Sequence, residues 1–510
     1  HKLSVRHSYL NAENLEGTQS FPRSIQYLNR SEFFPSITNS SALELKSNFG
    51  ANTSNSFILG YTRVRDDRDP FGANFPFVEI QDGNGEIEFG SEPFSTANQL
   101  DQDVFTITNN FNWYKGRHTF TFGTHNEFYS VYNLFVRQNY GSYEYDSLSQ
   151  FLNDLPATQF DRSYSLVDDI TGDGSAAGTE FSAMQLGFYM QDEWQATERL
   201  RITGGLRIDI PIFTDDTPEN PDFNNNTVPL IEAEYGDDAL LGARTGAFVD
   251  PQVMFAPRLG FNWDATGDMK TQIRGGIGIF NSRIPLVWPG GAYNNNGSLV
   301  GGDRVVYRED EEGNVTEGQV FVPQWDEQPR NVAPNSGQRS GQIDLFAQDF
   351  RFPQVGKINL AIDRQLPGGI IATVEGLYTD FINNVYYTNL NLRQPVGQTE
   401  GADQRNLFNR SDEVDPTYTG VYLGSNTDLG YTYNLTAQLQ KPFRGGISAS
   451  LAYSYTDAQT IFDGTSSQNS SQWRGLNTVN GRNGFNSVAR SDFASGSRVL
   501  GTFSYRKEYL

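Results

Sequence analysis

Asp169, Thr171, Asp173, Gly174, Ser175 and Glu180 stand at positions one, three, five, six, seven and twelve of a calcium-loop spacing. A hard cation takes oxygen ligands at alternate positions and needs a glycine for the sharp turn. The metal site expected from this chain is therefore calcium on Asp169, Thr171, Asp173 and Glu180, and calcium is the one cofactor expected. Two features weigh against it: Thr occupies position three, and a strand-like segment follows where a helix should. An ordinary Asp/Gly turn accounts for the same residues. A second acidic cluster, Asp215, Asp216, Glu219, Asp222, Glu232, Glu234, Asp237 and Asp238 against Arg244, reads as a solvated loop.

The other candidate chemistry is ligand binding. Within the longest link between strand-like segments lie VWPGGAYNNNGS (287–298) and VPQWDEQPRN (322–331). Trp288, Tyr293, Trp325 and Arg330 offer flat faces for stacking and a forked cation for hydrogen bonding. The alternative is that these side chains pack a long loop. Catalysis has little to work with. Only His1, His7, His118 and His125 could act as imidazole bases, and there is no Cys. His118 and His125 are seven residues apart on one strand, so they point to opposite sides. GGIGIF lies in a strand and precedes no helix, so it carries no phosphate-loop meaning. No enzyme is expected.

The elements that would position these residues are strands of period two. Leu200, Ile202, Leu206, Ile208 and Ile210 point one way; Arg201, Thr203, Arg207 and Asp209 point the other. About 11 residues of this kind span a hydrocarbon layer when tilted. Leu186, Phe188, Met190 and Trp194 repeat the pattern, as do Leu259, Phe261 and Trp263, and Ile358, Leu360 and Ile362. About fourteen such segments run along the chain. They are joined alternately by short polar turns (114–117, 196–199, 265–268, 366–369, 442–445) and long links (132–182, 213–253, 281–354, 381–430, 458–496). Soluble domains rarely carry such links. Outer-membrane barrels do, with short turns periplasmic and long loops outside. A soluble sandwich or propeller also alternates, but does not sort its connections by end. By alternation Arg201, Arg207, Arg258, Arg274 and Lys357 face the lumen.

Composition agrees. Mean hydropathy is −0.53 with 37% hydrophobic residues, and there is no run of about 18 apolar residues for a membrane helix. A barrel shows lipid only every second residue, so a low mean is compatible with insertion. The 37 Phe and 25 Tyr suit interfacial girdles. A net charge of −23 disfavours a nucleic acid partner. The fold class expected is all-β: a transmembrane antiparallel β-barrel forming one domain over 1–510.

Several strands are more specific than alternation requires. LGFYMQDEWQATERLRITGGLRIDIP (186–211) resembles the strand–turn–strand signature of TonB-dependent outer-membrane transporters, and FAPRLGFNWDATGDMKTQIRGGIGIFNSRIP (255–285) resembles a later hairpin of theirs. The pieces 354–386, 431–458 and 491–509, with the Pro-bearing 210–225, are similar to the Oar-like branch. The resemblance covers most strands from about 102 onward and little of the loops. It implies a barrel of 22 or more strands filled by a plug, of which these fourteen would be an internal piece, incomplete at both ends. It also implies capture and energised import of an extracellular ligand, a peptide or a glycan. The partners implied are outer-membrane lipid and lipopolysaccharide, a TonB-type energy-coupling complex acting through a plug, and a surface lipoprotein. The alternative is a passive, porin-like pore or a surface adhesion barrel.

Overall fold

The computed structural model describes every residue except 18–20, 169–173, 313–314, 333–340, 403, 410–412, 478–480, 482, 484–486 and 508–510. Its main sheet has seventeen strands. Fourteen of them form an antiparallel meander that we number β1 (Lys2–Glu16), β2 (Glu32–Asn48), β3 (Thr53–Pro70), β4 (Asn98–Lys115), β5 (His118–Phe135), β6 (Thr179–Gln195) and β7 (Leu200–Phe213). The series continues as β8 (Met254–Asp264), β9 (Thr271–Asn281), β10 (Gln354–Gln365), β11 (Ile371–Asn389), β12 (Gly430–Arg444), β13 (Ile447–Thr460) and β14 (Gly496–Tyr505). Each pairs with the next in sequence. Among the described residues no ladder joins β1 to β14. Both strands are exposed along nearly their whole length, as sheet edges are.

The meander is held in register by period-two burial. Phe188, Met190, Leu259, Ile277, Ile358, Leu360, Val374 and Leu451 all stand exposed on one face. On a soluble protein an apolar face of this extent would be an aggregation site; on a membrane wall it is the lipid face. The short turns close one end. Between β12 and β13 only Gly445 and Gly446 intervene, with φ of 64° and 80°, the left-handed pair that a two-residue hairpin of matching twist requires. Near this end, on the lipid face, the His118 ring stacks on Trp194 at 5.7 Å and 2°. Its Nδ1 lies 2.7 Å from Asp192 Oδ2, so one oxygen of this carboxylate is paired beside an interfacial aromatic. His125 points the other way, to Thr108 and Glu127.

At the other end the long links are not loose loops. Pieces of 132–182 and 281–354, with pieces of the connections from β1 to β2 and from β3 to β4, build a six-stranded sheet in the order Val300–Val306, Gln159–Ser165, Ser142–Tyr145, Phe77–Asp82, Gly85–Phe89, Ser24–Gln26. Val78, Ile80, Tyr143 and Phe160 form its core. A second core gathers Trp288, Phe346, Tyr387, Ile461, Phe462 and Trp473, and a third Phe223, Ile231, Ile343, Leu345, Tyr418 and Val421. β11 shows the transition within one strand. Ile371–Asp380 pairs with β12 in the wall, then Asn384–Asn389 pairs with 422–427 in the cap. The molecule's hydrophobic cores therefore lie in the outer cap, while the wall between turns and cap keeps its apolar side chains for lipid.

Candidate functional site

The short helix Val287–Asn294 lies where the cap's parts meet. Its C-terminal end touches the early wall. Asn294 Oδ1 accepts from Asn133 on β5 and from Thr179 on β6, at 3.0 Å from the latter. The Tyr293 ring stacks on Phe181 of β6 at 4.5 Å and 7°. Its N-terminal end touches the late wall's loop: Trp288 Nε1 donates to Ser466 O at 2.9 Å, and Asn469 donates to Trp288 O at 3.3 Å. Measured along the wall, β6 and the strand before that loop, β13, are about 34 Å apart at about 4.8 Å per strand. Eight helical residues extend about 12 Å. So short a helix reaches both only if the wall curls around it, which puts the helix across the mouth on the concave side.

The four candidate binding residues do not converge on one site. Trp288 and Tyr293 are buried, 6% and 2% exposed, and hold the cap together; the Tyr293 hydroxyl donates to Asp215 O at 2.5 Å. Burial and the neighbouring Asp215 and Asp216 carboxylates push its phenol well above the usual range. Trp325 packs edge-on against Tyr140 at 4.9 Å, and Arg330 lies over Tyr164 at 5.3 Å. Both are half-buried on the six-stranded sheet. Of the calcium set, Asp169, Thr171 and Asp173 lie outside the described residues. Glu180 sits at the outer end of β6, across from Tyr132. Among the described residues no three His, Cys, Asp or Glu side chains are grouped to hold a metal. The acidic link 213–253 is folded, while Asp215, Asp216, Glu219, Asp222, Asp237 and Asp238 stay exposed to solvent. Asp215 accepts from Ser182 N at 2.6 Å, Glu232 pairs with Arg244 at 2.7 Å and Glu234 with Arg393 at 3.1 Å.

Two buried charges in the cap escaped sequence reading. Arg162, 1% exposed, donates to the carbonyls of Asn139, Gln328 and Pro329 and so ties 322–331 onto the sheet. Burial lowers its guanidinium to about 10, still charged at neutral pH. Asp344, also 1% exposed, accepts from Asn295 at 2.8 Å and Gln342 at 3.0 Å. No spacing signals either residue, since Arg162 and Asp344 are buried by segments distant in the chain, Gln328 and Pro329 for the first and Asn295 for the second.

The inner face of the wall is polar, as alternation requires. Arg274 bridges Asp363 at 3.0 Å and Glu375 at 2.9 Å, Arg207 pairs with Asp209 at 2.7 Å, and Arg201 with Glu193 at 3.2 Å. Asp264 instead caps its turn, accepting from Gly267 N and Met269 N.

The family described as "Outer membrane beta barrel domain" matches residues 1–507. No curated protein sequence matches the chain. Among solved structures, the outer membrane transporter YddB from Escherichia coli is similar with a TM-score of 0.51 at 12% identity, over 90% of this chain and 46% of that one. The FrpB iron transporter from Neisseria meningitidis gives 0.45 at 9%, over 90% and 50%. The ferric enterobactin receptor PfeA from Pseudomonas aeruginosa, in a mutant form, gives 0.43 at 12%, over 84% and 46%. The chain spans about half the length of these proteins.

Proposed function

The chain belongs to the outer membrane β-barrel domain family, and on that premise we propose that it is the ligand-capturing part of a TonB-dependent transporter of the Oar-like branch. Its place is the outer membrane of a Gram-negative bacterium. In this reading the cap takes an extracellular peptide or glycan. A plug gates the lumen, and an inner-membrane complex moves that plug at the cost of the proton gradient. The observation that carries the reading is the helix Val287–Asn294, fixed at both ends across the mouth. A passive pore needs an open mouth; a roof packed from several loops suits a route that opens on demand. The edges of β1 and β14, unpaired among the described residues, support further strands on either side, because each orphaned backbone group in lipid costs several kcal/mol.

The test uses the native host and a strain lacking the gene. Cells are fed either a fluorescein-labelled tryptic peptide mixture or fluorescein-labelled maltodextrin, with and without a protonophore. The expected result is internalised label from one probe class, lost both on gene deletion and on collapse of the gradient. Gene-dependent uptake that survives the protonophore would replace the reading with a passive pore. Gene-dependent label that stays on the surface would replace it with adhesion.

A further inference from the structure

We propose that the luminal face of β6–β10 carries a carboxylate-binding pocket floored by bare backbone, independent of whether import is energised. The register builds the floor. Gly205 lies opposite Arg258, Arg258 opposite Gly278, and Gly278 opposite Lys357; Gly260 lies between Thr203 and Gly276. Alternation turns all of these to the lumen, so four positions without side chains adjoin one another in a recess of 740 Å³.

The wall's own packing does not demand the glycine at the middle of this floor. A Cβ at Gly260 would meet nothing nearer than Gly275 O at 3.5 Å, an ordinary contact, and its φ is not left-handed. What a side chain there would remove is the recess.

The rim supplies the charge. Arg258 lies 4.4 Å and Lys357 5.5 Å from the centre of the same Phe280 ring. Neither makes an ion pair among the described residues, whereas Arg201, Arg207 and Arg274 on the same face each do. The ring's quadrupole attracts both cations but neutralises neither. A carboxylate reaching them would do so through charge-assisted hydrogen bonds. Phe280 and the flat glycine floor accept a planar apolar body behind it. The ligand class is thus an organic acid with a planar or apolar body. It could arrive as a diffusing small acid or as an acidic side chain of a protein segment within the lumen.

Residues 1–510 contain no Cys, so Gly260→Cys, in a full-length protein with any cysteine outside them replaced by Ser, places a single thiol on the floor in outer-membrane vesicles. Its labelling is followed with an anionic sulfonatoethyl and a cationic trimethylammonioethyl methanethiosulfonate. With a diffusing ligand, the anionic reagent gains about tenfold over the cationic one relative to β-mercaptoethanol in solution. That gain disappears in Arg258→Gln/Lys357→Gln, and benzoate slows the labelling. With a resident acidic segment, the thiol is protected from both reagents and the double substitution exposes it. Equal reactivity with both reagents, a preference or protection unchanged by the double substitution, or an open thiol indifferent to benzoate would overturn the proposal. Asn359→Cys, beside Gly276 on the same floor, serves as the second thiol if the first variant fails to assemble.

Discussion

Asp344 is the residue whose cost to the cap is easiest to read. Desolvation pushes its carboxyl up to about 6, against the opposing hydrogen bonds of Asn295, Gln342 and Asn469 and the charge of Arg137. The folded chain therefore binds a proton here that the unfolded chain, titrating near 3.9, has already lost. Stability from this group is greatest below about pH 4, falls as pH rises to about 6 and is flat above, a total of about 3 kcal/mol. Asp344→Asn removes the ionisation and keeps the shape. Its stability relative to the parent should therefore improve by about that amount between pH 4 and pH 6. The emission of Trp288 and Trp473, which share the adjoining core, reports the unfolding midpoint in detergent. A gap independent of pH would mean that the site keeps its charge without cost. Neither Asp344 nor Arg162 was legible in the sequence. A buried ionisable residue is marked by its tertiary neighbours, not by local pattern. The aromatic residues Trp288 and Tyr293 were visible, but burial makes them supports of the roof, and they present no face to a ligand.

At the scale of elements, the strand–turn alternation states which way up the wall sits, and thiol labelling can check it. Residues 287–298 are poor reporters because most are buried. Met269 at the short-turn end is 88% exposed and Val396 in a long link is 65% exposed. Cysteine at Val396 should react with a membrane-impermeant maleimide on intact cells. Cysteine at Met269 should react only after the outer membrane is permeabilised. The reverse pattern would invert the topology. The fourteen wall strands were legible because each carries its own period-two signal and half of its turns need only two or a few residues. The cap sheet was not. Its strands are as short as three residues, and its pairings join segments as distant as Arg162 and Asp303, or Phe77 and Ser142 in parallel. No local turn encodes such a ladder.

For the whole molecule, the question is what lies beside β1 and β14. A closed wall satisfies every backbone group in lipid, and an open one does not. We expect residues 1–510 expressed alone to run on unheated SDS gels where the heated sample runs. The protein made from the whole gene should give a compact, heat-modifiable band. A compact band from 1–510 alone would mean that β1 and β14 close on each other, and would favour the passive-pore reading. Alternation within strands predicts a wall but not its circumference, because the same two-residue period fits any strand number.

The sequence by itself determined the elements that depend on near neighbours. These are the lipid and lumen faces, the hairpin turns such as Gly445–Gly446, and the opposed directions of His118 and His125. Each follows from spacings of a few residues and from backbone geometry. Only the tertiary structure decided what depends on distant segments meeting. It placed the helix Val287–Asn294 across the mouth and buried Asp344. It also set Arg258 and Lys357 over one ring beside a glycine floor drawn from β7, β8 and β9. The energies of those meetings come from burial and charge between residues tens to hundreds of positions apart, which no local period records.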